Sequence, residues 1–430
     1  MKFYLISLGC AKNLVDSENI VHHLQKTGYS ITGDISEASL IMINTCGFIE
    51  EAKKESIDTI FSVLKEKNRD AKVLVYGCLV KRYQKELERH VPEVDLFVPL
   101  LPHHQLTEKI KENFAPCEET GAPAAKPILF TPPSYRYIKI SDGCNNFCSY
   151  CTIPAIRGDL RSYPVEDVLR RIKDVLDEGY SEINLVAQDI TVYGKDLYGK
   201  PSLEFLLKKI LSLRNDFWLR LLYVHPLRVS KELVEIIRSD ARIVKYLDIP
   251  VQHVNTRILR LMNRHYSKDL LVRKITLLRE KIPSIALRTS LIVGFPTEEE
   301  SDFQELFDFV EKIRFDHVGV FEYSHEEGTP AFALKPTVPR SVRKRRRKSI
   351  MELQRKIARA RNHAMKGKVF PCLIELPLDE CRSIWIGRIY SQAPEVDGIV
   401  YVKGYGGNGN LTSVRVTGFK DYDLVAECVR

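Results

Sequence analysis

At 430 residues the chain is too long for one ordinary hydrophobic core, and we expect two or three domains. Its 44% hydrophobic and 28% charged residues are typical of a globular protein, and no apolar run approaches the roughly 20 residues that span a bilayer. The start of the chain lacks the pattern of a cleaved leader, so we expect a cytoplasmic protein with no membrane partner. Ten cysteines in that reducing compartment predict metal or redox chemistry rather than a disulfide framework.

The net charge of +9 is concentrated in one segment. Residues 1–133 and residues 369–430 each carry a net charge of −2, whereas residues 340–368 hold 13 basic side chains and the single acid Glu352. Both ends of the chain are therefore slightly acidic, and the basic character belongs to the segment before the last 60 or so residues.

The first hundred residues predict a parallel, Rossmann-like α/β domain. The apolar runs KFYLISLGC, LIMINTCGF and KVLVYGCLV are of strand length, and helical stretches at 16–27 and 50–66 separate them. Each predicted strand leads directly into a cysteine: Cys10, Cys46 and Cys78. Ligands of open α/β sheets bind outside the carboxyl ends of strands, so three strand ends could bring three thiolates together.

The alternative for these cysteines is that each is a small core residue, which is the commoner role of a lone thiol. Three thiols at three successive strand ends favour a metal site over that alternative. Asp16 and Glu18 follow in the sequence, and they could be acids at a helix start or functional groups.

The stretch at 115–134 is rich in proline, which predicts a domain boundary. We place the first domain at 1–116 and a linker at 117–134. Six further strand candidates follow, with helical segments between them, and such β/α units predict a complete or partial barrel. Thr297 and Glu300 fit a capping box at the start of the last of these helices. The strand candidates lie at 135–141, 181–188, 217–224, 244–252, 284–294 and 316–324.

The last part of the chain predicts a long helix and a small antiparallel β-barrel. Within 340–366, apolar residues spaced for one helix face are Ile350, Leu353, Ile357, Ala360 and Ala364. From residue 367 to 430 five short strands with turn residues between them suggest an OB-like barrel of the size that nucleic-acid-binding or docking modules use.

The stretch SDGCNNFCSYCTIP (141–154) holds Cys144, Cys148 and Cys151. Zinc sites add a second knuckle or histidines, which are not nearby, whereas four-iron clusters ordinarily use four thiolates. Three ligands would leave one iron open to a small molecule. The alternative is three buried thiols or a degenerate zinc knuckle. Cysteines without such grouping are read as structural or incidental, namely Cys117, Cys372, Cys381 and Cys428.

This spacing resembles that of the radical S-adenosylmethionine (SAM) superfamily, and Tyr150 matches the aromatic residue before the last cysteine. The resemblance implies that 135–366 is a partial (β/α)6 radical SAM barrel in which SAM binds the open iron of a 4Fe-4S cluster held by the three cysteines. NLVAQD (184–189) lies where the superfamily binds the SAM amino group. It departs from the usual Gly-Gly-Glu, but it makes Gln188 and Asp189 candidate SAM contacts.

Taken together, SLGCAKNLVDSE, INTCGF, YGCL, DGCNNFCSYCTIP, RGDLRSYP, LDIPVQH and IVGFPTEE resemble the radical SAM methylthiotransferases over essentially the whole chain. The resemblance implies a methylthiotransferase domain, a radical SAM barrel and a C-terminal TRAM domain. It also implies a second 4Fe-4S cluster on Cys10, Cys46 and Cys78. One SAM would supply a deoxyadenosyl radical and another the methyl group. A sulfur donor and an electron donor would be partners.

Two branches of that family differ in substrate. One modifies the β-carbon of an aspartate in a basic small-subunit ribosomal protein at the decoding centre, and the other modifies an adenosine next to the anticodon of tRNA. The forms SLGCAKNLVDSE, RGDLRS and APEVDGIVYV favour the ribosomal protein, taken free or on the ribosomal particle. The acidic terminal barrel also favours it, because an RNA-binding module should be basic.

The basic segment leaves a role for RNA open. RKRRRK (343–348) within 340–368 could contact RNA, or it could be a solvated helix face that packs the barrel against the terminal domain. Two other functions also stay open. One is a non-catalytic RNA-binding or assembly factor with structural clusters. The other is a radical SAM methyltransferase without sulfur insertion, which would leave the three N-terminal thiols unexplained.

Overall fold

The computed structural model describes residues 1–114, 130–379, 381–405 and 411–429. The chain divides into two compact units. The N-terminal unit comprises Met1–Phe130, Gly143–Asn145 and Cys151–Asp159, and the C-terminal unit comprises Thr131–Asp142, Asn146–Tyr150 and Leu160–Arg430. Cys117 and most of the predicted linker lie outside the described residues, and the predicted division into four segments stays a prediction.

The N-terminal unit is a parallel five-stranded sheet in the order β2-β1-β3-β4-β5, as the apolar runs predicted. β3 is buried along its whole length, which is why residues 40–43 are all apolar rather than alternating with polar ones. The edge strands β2 and β5 were not predicted. The strands are β1 (Lys2–Ser7), β2 (Ser30–Ile31), β3 (Leu40–Thr45), β4 (Lys72–Gly77) and β5 (Leu96–Pro99), and the helices are α1 (Ala11–Gln25), α2 (Glu50–Glu66), α3 (Cys78–His90), α4 (His103–Asn113) and α5 (Ile153–Arg157).

The C-terminal unit contains a parallel six-stranded sheet in the order β13-β12-β11-β10-β9-β6, and all six strands match predicted ones. A short antiparallel ribbon of β7 and β8 accompanies it. In chain order these strands are β6 (Tyr135–Lys139), β7 (Ser141–Asp142), β8 (Arg161–Ser162), β9 (Glu182–Val186), β10 (Trp218–Leu221), β11 (Ile243–Asp248), β12 (Ala286–Val293) and β13 (His317–Glu322).

Helices connect successive strands of this sheet. In the last of these helices the capping box is formed by other residues than predicted. α12 begins at Glu300, and the box is formed by Glu299 and Asp302, so the pairing of Thr297 with Glu300 is wrong. Thr297 instead has φ of +70° in the turn before the helix. The helices are α6 (Val165–Asp177), α7 (Lys195–Tyr198), α8 (Leu203–Leu211), α9 (Lys231–Ser239), α10 (Thr256–Leu261), α11 (Lys268–Lys281) and α12 (Glu300–Ile313).

The basic segment forms one long helix, α13 (Arg340–Met365), which packs along β13. Its buried face is only partly the predicted one. Ile350 and Ile357 are buried, but Ala360 and Ala364 are exposed. A polar side chain also belongs to the buried face, since the buried Gln354 donates to the backbone carbonyls of residues 315 and 316.

Five strands after α13 close into a small barrel in the order β14-β15-β16-β18-β17. The prediction of an antiparallel barrel holds for four of the five pairs, whereas β16 and β18 run parallel. The strands are β14 (Val369–Asp379), β15 (Ile384–Ile389), β16 (Val400–Lys403), β17 (Leu411–Lys420) and β18 (Asp423–Cys428).

Buried charges fix this barrel to the six-stranded sheet. Glu182 accepts from Arg220 of β10 at 2.6 Å and from Arg388 of β15 at 2.5 Å, and Arg388 also donates to Glu375 at 2.6 Å. None of these four side chains is more than 9% exposed. Because breaking a buried pair leaves an uncompensated charge, these contacts oppose separation of the small barrel from the sheet.

Within the described parts of the chain, no helix is both long enough and apolar enough to cross a membrane.

Candidate functional site

The three N-terminal cysteines lie at the carboxyl ends of adjacent parallel strands. Cys46 directly follows β3, and Cys78 directly follows β4 as the first residue of α3. Cys10 lies three residues beyond β1, immediately before α1. Since β1, β3 and β4 are neighbours in the sheet, the three positions lie at one edge of it. We call them the N-terminal triad.

Asn13, in the first turn of α1, connects the three cysteine loops. Its side-chain amide donates to the carbonyls of Leu8 and Thr45, at 3.0 and 3.3 Å. Its Oδ1 accepts from the Cys78 thiol, with 3.7 Å between oxygen and sulfur. One buried side chain therefore links the end of β1, the end of β3 and the start of α3.

Two glycines next to the triad allow its loops to approach closely. Gly9 has φ of +92°, and a Cβ there would lie 2.9 Å from Sγ of Cys46. A Cβ at Gly47 would lie 2.7 Å from Cα of Leu79, the residue after Cys78. Contacts this short exclude larger residues, so the glycines are required by how tightly the loops pack.

The three thiols differ in how readily they ionise. Burial raises the pKa of Cys46 and raises the pKa of Cys78 to about 12. The Cys10 residue is exposed to solvent. Protein atoms around its sulfur still exclude part of the water that would stabilise a thiolate, which by itself would raise the pKa. The charges of Lys12 and Arg157 and backbone hydrogen bonds outweigh that burial and lower the pKa of Cys10. Thiolate is the form that binds metal, so the basic groups favour a ligand role.

A buried ion pair that the sequence analysis missed adjoins the triad. Arg157 of α5 donates to Asp16 at 3.0 Å and to Asn13 at 2.6 Å, and it lies 3.9 Å from Sγ of Cys78. Arg157 and Asp16 are 5% and 6% exposed. Asp16 lies in the second turn of α1, so it is not an acid at the helix start.

The donor set of the triad is three thiols, the ligand type that holds iron–sulfur clusters. Among the described residues, no group of three or more His, Cys, Asp or Glu side chains is arranged to hold one metal ion. In a four-iron cluster each thiolate binds a different iron, so the ligands surround a larger group. The charges of Cys10 and Cys46 both raise the pKa of Cys78, which shows that the three sulfurs lie within electrostatic range of one another.

The second set of cysteines, Cys144, Cys148 and Cys151, lies in one loop after β7, and we call it the loop triad. Cys144 and Cys151 are grouped with the N-terminal unit, where the backbone N–H of Cys144 donates to the carbonyl of Gly158 at 3.1 Å. Cys148 and Tyr150 are grouped with the C-terminal unit. None of the three cysteines is fully buried.

In the C-terminal unit, residues 261–263 at the end of α10 hold the loop around Cys148. Asn263 donates to the carbonyl of Phe147 at 2.8 Å. Ser149 donates through its hydroxyl to Leu261 at 2.6 Å and through its backbone to Met262 at 3.1 Å. Three consecutive residues of the 261–263 segment therefore fix the loop on both sides of the cysteine.

Arg264, the next residue, contacts the cysteine itself and was also missed. Its guanidinium donates to Sγ of Cys148 at 3.6 Å and to the Tyr150 hydroxyl at 3.3 Å. The remaining donors reach Tyr266 at 2.5 Å and the carbonyl of Pro250 at 2.7 Å. With 6% exposure, Arg264 is a buried cation directed at a predicted cluster ligand.

The two candidate SAM contacts differ in what they already bind. Asp189 accepts from Asn146 at 2.8 Å and from Arg228 at 2.7 Å, and it caps the turn at Thr191. Its carboxylate therefore also anchors the cysteine loop. Both polar atoms of the Gln188 amide are buried without a hydrogen-bond partner among the described residues, which fits an amide that awaits a ligand.

Three family models match the chain in succession. The uncharacterized protein family UPF0004 matches residues 2–99, the radical SAM superfamily matches residues 138–310 and the TRAM domain matches residues 367–429. The last of these covers the closed five-stranded barrel.

Relatives of known function match over the full length. The ribosomal protein uS12 methylthiotransferase RimO of Acetivibrio thermocellus is 42% identical, with 100% of this chain and 98% of the relative covered. The RimO of Geotalea uraniireducens is 44% identical with the same coverage.

Among solved structures, the radical SAM methyltransferase TsrM of Kitasatospora setae has a TM-score of 0.56. It covers 74% of this chain and 72% of its own at 13% identity, which is a likeness of fold. The parallel sheets, the TRAM barrel and full-length identity above 40% agree, and the chain belongs to the RimO family of radical SAM methylthiotransferases.

Proposed function

We propose that this enzyme converts the β-carbon C–H of an aspartate in ribosomal protein uS12 into C–S–CH₃. The full-length relatives are named for that protein. The observation that carries the proposal is the N-terminal triad, because a radical SAM enzyme that does not insert sulfur has no evident use for a second set of three thiols. An iron–sulfur cluster and SAM are the cofactors of the family, and the second cluster is part of the proposal.

Cys144, Cys148 and Cys151 hold the cluster that cleaves SAM in this proposal, and the N-terminal triad holds the other. When bound, the two clusters and SAM would supply the radical that removes hydrogen, the sulfur attachment point and the methyl group. The protein's own part is positional. Gln188 offers its unpartnered amide to SAM, Tyr150 and Arg264 border Cys148, and Asp189 holds Asn146 of the cysteine loop while it remains a candidate SAM contact.

A protein substrate accounts for the charge distribution. The terminal barrel is acidic and suits a lysine- and arginine-rich ribosomal protein. Many α13 charges serve the fold, since Arg346 pairs with Glu298 at 2.7 Å, Arg359 pairs with Asp421 at 3.2 Å and Arg361 pairs with Asp316. This supports the packing role for much of the helix and weakens the tRNA alternative.

RNA contact is assigned to the basic residues of 340–368 that remain. Within the described residues, six basic side chains of this segment are exposed and have no ion-pair partner: Arg340, Lys344, Arg355, Lys356, Lys366 and Lys368. They would meet ribosomal RNA if the substrate is modified on the particle. The sulfur donor and the electron donor are separate partners, and the reaction belongs to the cytoplasm because its substrate is ribosomal.

The test is anaerobic reconstitution with iron and sulfide, followed by SAM and a low-potential reductant. Free uS12, small ribosomal subunits and an anticodon stem-loop with isopentenyl-adenosine would compete in one reaction, and mass spectrometry would examine each. We expect a methylthio group on one aspartate of uS12.

Three other results would overturn the proposal in different ways. Methylthiolation of the RNA would assign the enzyme to the tRNA branch. Methylation without sulfur would indicate a methyltransferase. Absence of SAM cleavage by the reduced protein would favour a non-catalytic factor.

A further inference from the structure

Arg157 has more donors than its ion pair needs. One terminal nitrogen binds Asp16 at 3.0 Å, while the other binds Asn13 at 2.6 Å and lies 3.9 Å from Sγ of Cys78. Asn13 is the residue that connects the loops of the N-terminal triad. The guanidinium thus contacts one sulfur directly and supports the residue that fixes the other two loops.

The burial of this cation calls for an explanation. A buried ion pair gains little stability by itself, since desolvating both charges costs about as much as their attraction returns. Asp16 and Arg157 are nevertheless almost wholly buried beside three cysteines. A cluster with three thiolate ligands is net anionic in this buried place, and a cation there offsets that charge.

We propose that Arg157 is a positioning residue for the cluster of the N-terminal triad, where it orients the Cys78 sulfur and balances the charge of the thiolates, while Asp16 sets the position and effective charge of Arg157. The inference rests on the proposed second cluster. It adds that the reduction potential of this cluster depends on the Arg157–Asp16 pair, because nearby charge and hydrogen bonds to sulfur set such potentials.

The experiment uses the full chain with Cys144, Cys148 and Cys151 all replaced by alanine, so that any cluster belongs to the N-terminal triad. Iron content and a redox titration followed by electron paramagnetic resonance are measured for this background and for Arg157→Gln, Asp16→Asn and Arg157→Lys added to it. Arg89→Gln is the matched control, since Arg89 is an exposed arginine of α3 in the same unit.

Loss of the positive charge should shift the midpoint potential to more negative values in Arg157→Gln, and loss of the negative charge should shift it to more positive values in Asp16→Asn. Arg157→Lys keeps the charge and should stay closer to the background, and Arg89→Gln should not shift. If Arg157→Gln retains no iron, the potentials of Asp16→Asn and Arg157→Lys decide the matter.

Potentials that are equal in all these variants would overturn the inference while leaving the proposed function intact, because a merely structural ion pair would not shift the potential in opposite directions. A background protein that binds no cluster would overturn both the inference and the second cluster of the proposed function.

Discussion

The N-terminal triad and the loop triad each supply three thiols, but the chain brings the thiols together in different ways. The N-terminal triad comes from three strand ends, so sheet topology brings its cysteines together. The loop triad comes from eight consecutive residues, and the loop around Cys148 is held by the 261–264 segment. The first arrangement follows from the order of the strands, whereas the second depends on the contacts that hold one loop.

Despite this difference, each triad is bordered by an amide and a buried arginine. Asn13 and Arg157 contact the N-terminal triad, and Asn263 and Arg264 contact the loop around Cys148. In each case the amide fixes backbone carbonyls and the arginine lies against a sulfur. If these thiolates bind iron, as proposed, the amides hold the cysteine loops in position and the arginines place positive charge beside a sulfur.

The largest effect should come from removing either triad. Replacement of Cys144, Cys148 and Cys151 by alanine should abolish both deoxyadenosine release from SAM and methylthio product. Replacement of Cys10, Cys46 and Cys78 should abolish the product but leave deoxyadenosine release. Chromatography of the nucleoside and mass spectrometry of uS12 measure the two. Product formed without the N-terminal triad would show that its thiols have no part in sulfur insertion.

A substitution of Arg264 tests whether its contacts with the cysteine loop affect the cleavage of SAM. Arg264→Gln removes the donor to Cys148 and Tyr150, and outer-shell losses of this kind typically cost about 10–100-fold in activity. We expect a decrease of that order in the rate of deoxyadenosine release. Arg260→Gln is the control, because Arg260 is an exposed arginine of the same helix region. Equal rates of deoxyadenosine release in the two variants would mean that Arg264 only packs against the loop and does not affect SAM cleavage.

Much of the fold could be predicted because it depends on local patterns. Most strands of both sheets are mainly apolar, although the buried strands β9 and β10 contain Glu182 and Arg220, and the loop triad is contiguous in sequence. The short edge strands β2 and β5 were missed because two to four residues carry no periodicity. The buried face of α13 was only partly predicted, because buried polar side chains such as Gln354 and Arg346 find partners in the protein, which hydrophobic spacing does not reveal.

The residues around the sulfurs could not be predicted for a related reason. Arg157 lies 144 residues from Asn13, and Arg264 lies 116 residues from Cys148. No spacing in the sequence links such positions, and an arginine is ordinarily read as a surface residue. The cysteines themselves were visible because a thiol after each of several strands is unusual.

Gly9 tests how tightly the loops of the N-terminal triad must pack. Gly9→Ala places a Cβ 2.8 Å from Cβ of Cys46, in a backbone conformation with φ of +92°. Gly28→Ala is the matched control in the same unit, since its φ is +86° and nothing lies within 4 Å. Strain alone should cost about 1 kcal/mol at each position. Gly9→Ala should cost more, measured by hydrogen exchange of β3 and β4, and it should also lower the iron bound by the N-terminal triad. Equal costs with iron retained would mean that the loops can move apart.

The smallest expected effect is on stability and comes from His253. This histidine should make the stability of the C-terminal unit depend on pH without changing that of the N-terminal unit. It is fully buried, and its Nδ1 accepts from the backbone N–H of Asn255 at 3.0 Å, so the ring is neutral with its proton on Nε2. Burial lowers its pKa from 6.5 to about 3. Below pH 6.5 the histidine binds a proton in the unfolded chain but stays neutral in the folded protein. The unfolded state is therefore favoured increasingly, and the stabilisation present above pH 6.5 is lost progressively towards pH 3.

Between pH 6.5 and 5.5 this loss amounts to about 1 kcal/mol from His253. Urea unfolding followed by tryptophan fluorescence measures it in the C-terminal unit alone, because both tryptophans, Trp218 and Trp385, belong to that unit. His253→Gln should show a shallower dependence of unfolding free energy on pH than the unsubstituted protein. Hydrogen exchange of β3 and β4 should be the same in both proteins at each pH, since the N-terminal unit does not contain this histidine. An identical pH dependence in the two proteins would mean that the buried ring is protonated in the folded state, with Glu298, 3.8 Å from Nε2, as its counter-ion.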